Sequence, residues 1–150
     1  MTTYEEAIDL MYGAFKTAWD AEAAGIIGYT PEVEYEGVRD NRHAKGGKAF
    51  ARLSVRNVIE RQATLGSPGG AGKHEYETIG LMVVQLFLPK SDNTAMVSGR
   101  RLAQSVRNTY RSVSAGGEVW FRDATIREQP PGNRWYQINV TIEYNFMETV

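Results

Sequence analysis

Residues 76–111 read YETIGLMVVQLFLPKSDNTAMVSGRRLAQSVRNTYR, and this stretch decides the fold. Its first half is apolar on both parities, with Ile79, Leu81 and Val83 on one and Met82, Val84 and Leu86 on the other. Such a run predicts a central strand buried on both faces. Pro89 has no N–H to give a ladder and closes the strand. Ser91, Asp92, Asn93 and Thr94 are all side chains suited to capping a helix. The helix that follows gathers Met96, Gly99, Leu102, Ala103, Val106 and Tyr110 on one face. A glycine on that face predicts close approach to the sheet. Arg100, Arg107 and Arg111 follow at spacings of seven and four, so they line a second stripe. That stripe reads either as a solvated face near the helix C-terminus or as a contact for an acidic surface.

Working outward, residues 4–24 predict another helix, because Tyr4, Ile8, Met11, Phe15, Ala18 and Trp19 recur at steps of three and four. Thr3 and Glu6 fit a capping box, and Gly25 is placed to end the helix. EVEYE at 32–36 alternates, which predicts a short strand with Val33 and Tyr35 inward. VRDNRHAKGGK at 38–48 reads as a loop holding His43. Residues 49–65 predict a long strand, with Ala51, Leu53, Val55, Ile59, Ala63 and Leu65 on one parity. Val58 breaks the pattern, so a bulge is expected near Asn57.

Residues 65–74, LGSPGGAGKH, read as a hairpin tip. They fail as a phosphate loop, since Ser67 and His74 stand where Gly and Ser or Thr are needed. On the C-terminal side, 118–127 predicts a strand with Val119 and Phe121 opposite Trp120 and Ile126, and EQPPGNR is a turn. In 135–146, Tyr136, Ile138, Val140, Ile142, Tyr144 and Phe146 face one way and Trp135, Gln137, Asn139, Thr141, Glu143 and Asn145 the other. The order is α-β-β-β-α-β-β. It predicts an α+β domain spanning 1–150, an antiparallel-rich sheet of about five strands with two helices on one face.

The 150 residues suit one domain with a core of its own. Cysteine is absent, which removes disulfides and thiolate chemistry. The start MTTYEEAIDL lacks the basic segment of a signal peptide, and Ile79–Leu88 is too short to span a bilayer. Net charge is −1 but unevenly laid out. Residues 1–38 hold eight acids against Lys16, while 39–56 hold six bases against Asp40. This is either ordinary solvated surface or a dipole that lets copies meet head to tail. No paired carboxylates, nucleophile elbow or metal-ligand spacing appears, so no enzyme, cofactor or metal is expected. The basic run beside aromatics admits a single-stranded nucleic-acid reader as an alternative of another class, against a pI of about 6.1.

Three stretches carry a resemblance: VVQLFLP with the helix ending SVRNTYR, the strand and turn VWFRDATIREQPPGNRWYQ, and the closing strand INVTIEYNF. Together, in this order, they resemble the tail terminator proteins of long-tailed phages, the family of lambda-like minor tail protein U and its relatives. The resemblance implies a structural virion protein forming a ring, six-membered in that family. The ring caps the tail tube, stops its polymerisation and offers the surface that meets the head. Its partners would be other copies, the tube protein and the head-tail connector or neck protein. Nucleic acid would only pass through the lumen. Localisation would be the head-proximal end of the virion tail, with assembly in the host cytoplasm. A neck or head-tail joining protein of similar plan is the close alternative. Candidate subunit or tube contacts are Arg42, Lys45, Lys48, Arg52, Arg56, Lys73, Arg100, Arg107 and Arg111.

Overall fold

A computed structural model of the chain describes residues 2–36, 47–65, 72–111, 117–132 and 134–149. The elements run α1 (Tyr4–Ile27), β1 (Glu32–Tyr35), β2 (Phe50–Gln62), β3 (Glu75–Pro89), α2 (Ala95–Arg111), β4 (Val119–Glu128) and β5 (Trp135–Thr149). The strands form one sheet in the order β1-β2-β3-β5-β4, with β3 at its centre. Three pairings are antiparallel, and β1 runs parallel to β2. The fold is α+β, and the single parallel pair is a departure from a purely antiparallel sheet.

Both helices pack on one face. That face is made of Ala51 and Leu53 of β2, Met82, Val84, Leu86 and Leu88 of β3, and Ile138, Val140, Ile142, Tyr144 and Phe146 of β5, all buried. From α1 it receives Met11, Phe15 and Trp19, and from α2 Leu102, Ala103, Val106 and Tyr110. The expectation that β3 is buried on both faces is corrected. Ile79, Val83 and Phe87 are half-buried and Leu81 is 36% exposed, because the two helices cover one face and no described element covers the other. Met96 also shifts: it is half-buried, and Ala95 takes the buried position one residue earlier.

Local signals explain most boundaries. Thr3 and Glu6 do form a reciprocal capping box at α1. The helix passes through Gly25 and ends at Gly28, whose φ of 90° is the left-handed conformation a helix stop requires. Trp19 then anchors the returning chain by donating to the Pro31 carbonyl at 2.9 Å. Before α2, the Asp92 carboxylate accepts from the Thr94 backbone N–H at 2.9 Å, which holds it below the usual carboxylate range. Gly99 is where the helix meets the sheet, since a Cβ there would collide with Leu88.

Two bulges set which side chains face where. The β2–β3 register slips between Asn57 and Ile59. Up to Asn57 the odd residues of β2 face the helices, but beyond it Ile59 lies opposite Ile79 on the uncovered face. The predicted single parity from Ala51 to Leu65 therefore ends at the bulge, and Ile59 is 47% and Leu65 96% exposed. In β4 the register slips between Arg122 and Thr125, with Asp123 at φ 53°. That unforeseen slip returns Ile126 to the covered face opposite Val140, while Trp120 stays outside.

Candidate functional site

The uncovered sheet face and the exposed sides of the helices are the two surfaces on which the charged residues gather. On the uncovered face, cross-strand pairs arise because facing residues sit one strand spacing apart, about 5 Å. Arg61 donates to Glu77 at 3.0 Å and Arg122 pairs with Glu143 at 2.6 Å. Arg52 donates through Nε to Glu34, whose side chain is 8% exposed. In each pair the carboxylate lies lower and the guanidinium stands out to solvent. Between them runs the apolar column of β3. At one end Phe50 and Phe87 stack at 4.8 Å, Trp135 meets Phe50 edge-on at 5.2 Å, and Arg52 lies 5.0 Å from the Phe87 ring centre.

The predicted contact residues fall into separate groups. Arg42 and Lys45 lie outside the described residues, as does His43. Lys48 sits 5.4 Å above the Tyr29 ring. Arg52 and Arg56 project from β2 onto the uncovered face, Arg52 tied to Glu34 and Arg56 opposite Leu81. Lys73 is exposed just before β3. Arg100, Arg107 and Arg111 lie on α2, across the sheet from the β2 group. Arg100 donates to Glu128 at 2.6 Å, and each partner shifts the other: the guanidinium holds the Glu128 carboxyl low, and the carboxylate raises Arg100. That contact turns the arginine stripe toward β4. The opposite side of α2 faces α1, where Ser105 donates to Glu22. Arg107 is half-buried and its Nε has no partner among the described residues.

The acidic and basic runs, read either as solvated surface or as a contact between copies, are partly joined within one copy. Glu34 lies in the early acidic run and Arg52 in the basic run that follows, and parallel pairing of β1 with β2 places them side by side. The alternation of β5 flags Glu143 as an open-face residue, whereas Arg61 shares the parity of Ala51 and Leu53 and reaches the open face only through the bulge after Asn57. The slip at Asp123 hid the placement of Arg127.

A cleft of about 410 Å³ lies between the start of α1 and β4, lined by Thr2, Glu6, Asp9, Leu10 and Glu118. Its Glu6 carboxylate is engaged by the Thr3 backbone N–H at 2.9 Å and is held below its usual range by that bond. Among the described residues no group of three or more His, Cys, Asp or Glu could hold a metal ion, and no helix is long and apolar enough to cross a membrane.

No family model matches the chain, and no curated protein matches it. The fold is similar to that of a solved protein structure whose designation says nothing of function. The TM-score is 0.61 at 17% identity, over 92% of this chain and 94% of that one. At that identity the likeness is one of fold alone.

Proposed function

We propose that the protein is a structural component of a phage tail, a terminator whose copies form a ring on the end of the tail tube, stop its growth and present a surface to the head. The reading comes from the resemblance of the three stretches within 83–146. The observation that supports it is the outer half of the β2–β3 hairpin. Val58 is 58% exposed, Ile59 47% and Leu65 96%. Val58 and Ile59 in the outer part of β2 and Leu65 just beyond it are left in water by a single copy, which supports a partner at this end of the hairpin. β1 pairs with β2 only as far as Leu53, so among the described residues the edge of β2 from Ser54 to Gln62 also has no second strand.

The neck or head-tail joining reading rests on the same surfaces, and one experiment separates the two. Purified protein is mixed with self-assembling tail-tube subunits and imaged by negative-stain electron microscopy. Short tubes with extra density at one end are the expected result. Tubes of unaltered length would reject termination in favour of the neck.

A further inference from the structure

Among the described residues, the two helices carry opposite charge that they do not match against each other. α1 carries five carboxylates against Lys16, and α2 carries four arginines and no carboxylate. The helices are neighbours, yet among the described residues no ion pair joins them, and Glu22 meets α2 through Ser105 instead. The buried positions of α1 are Ala7, Met11, Phe15, Trp19 and Ala23, so Glu5 and Asp9 stand on the far side, both exposed. Neither has a hydrogen-bond or ion-pair partner among the described residues. Arg107 and Arg111 are in the same position on the side of α2 turned from α1, whereas Arg100 is engaged by Glu128.

We infer that adjacent copies meet through these helices, Glu5 and Asp9 of one copy against Arg107 and Arg111 of the next. This rests on the ring reading above and names the contact that would build the ring. Each pair is spaced by four residues, about 6 Å along its helix, so two carboxylates one turn apart match two guanidinium groups one turn apart. Beyond Asp9 the same exposed line of α1 continues as Gly13, Thr17, Ala21 and Gly25, and a Cβ at either glycine would meet nothing within 4 Å. No bulky side chain on that line keeps a neighbouring helix away. The acidic surface lies on α1 and the basic one on the β4 side of α2, two different patches. In a heterologous contact of this kind each copy gives one patch and receives the other, which closes into a ring or runs on into a filament.

The test is a charge swap read by native mass spectrometry and sedimentation, alone and with tail tubes. One variant carries Glu5→Lys and Asp9→Lys, the other Arg107→Glu and Arg111→Glu. Each alone should associate about tenfold more weakly or worse than wild type, since like charges then face each other. An equal mixture should recover assembly to within about threefold, because the altered patches complement one another. Arg107 is half-buried, so Asp9→Lys and Arg111→Glu form a second pair, and thermal melts matching wild type show that the fold is kept.

Wild type that assembles while the variants assemble equally well, or a mixture no better than either variant, overturns this contact and leaves the ring reading standing. Wild type that stops at two copies replaces the heterologous contact with a twofold one and also overturns it. Wild type that stays single with and without tubes overturns the ring and this contact together.

Discussion

β3 has two apolar faces with different fates. Met82, Val84, Leu86 and Leu88 are at most 1% exposed under the helices, whereas Leu81, the residue just before Met82, is 36% exposed. The side chains are chemically alike. The covering layer differs, because two helices seal one face of a five-stranded sheet and nothing else in the described chain seals the other. Apolar character therefore marks where a surface can be covered, and the covering may come from within the copy or from outside it. The neighbouring strand makes the same point through composition. β5 places Ile138, Val140 and Ile142 on the covered face and Asn139, Thr141 and Glu143 on the open one. β3 is a strand prepared for contact on both sides, β5 for contact on one.

The strongest way to break this comparison is to remove the same side chain from each region. Leu102, 1% exposed, fills the space between α2 and the covered face. Leu102→Ala should cost about 2–5 kcal/mol, the transfer term plus the cavity left behind. Leu81→Ala should cost about 1 kcal/mol or less, since much of that side chain is already in water. Urea unfolding of both variants measures the difference. Equal costs would mean that the two faces are not distinct in energy.

A second comparison stays on the open face. Arg52 and Arg56 both project from β2, but Arg52 neutralises the buried Glu34 carboxylate while Arg56 stands opposite Leu81. Arg52→Glu sets two carboxylates together with one of them out of water, and should cost about 1–3 kcal/mol. Arg56→Glu should change stability by about 0.5 kcal/mol or less, as exposed substitutions do. Adding Glu34→Gln to Arg52→Glu should return part of the loss, because it removes the repulsion. Chemical denaturation of the three variants checks the ranking, and equal effects at positions 52 and 56 would show that the Glu34 pair contributes nothing.

Much of this was legible in the chain. The helix of 95–111 declared its buried face through Gly99, Leu102, Ala103, Val106 and Tyr110, because a period of 3.6 residues is fixed by the backbone. β5 declared both faces because its two parities differ in composition. The bulge at Val58 was visible as a break in alternation, but its consequence was not: a one-residue slip turns every later side chain over, and Ile59 moved to the open face. The slip at Asp123 left no such mark, since Arg122, Asp123 and Thr125 are polar whichever face they take. The open face of β3 was illegible because its apolar residues carry no record of how many helices the fold can lay over them. The pairing of Glu34 with Arg52 depended on a parallel neighbour that neither strand's pattern encodes.

The smallest effect concerns three shielded tyrosines, and its sign follows from burial. Tyr12 rests against Tyr35 at 5.2 Å, and its hydroxyl is buried with no hydrogen-bond partner among the described residues. Burial, aided by the Glu36 carboxylate, pushes its ionisation from 10.0 up to about 12. Burial also raises Tyr110, which donates to the Met11 carbonyl at 2.9 Å, and Tyr144. An unfolded chain ionises these phenols near their ordinary value, while the folded chain holds them neutral to higher pH. Their contribution to stability is therefore whole below about pH 10 and is lost as pH rises toward about 12. Thermal unfolding followed by circular dichroism should show the midpoint falling across that window. Tyr12→Phe cannot ionise in either state, so its midpoint should fall less steeply over the same range. A variant curve parallel to wild type would mean that Tyr12 is as accessible in the fold as in the unfolded chain, and that the contact between α1 and β1 is looser than the ring geometry describes.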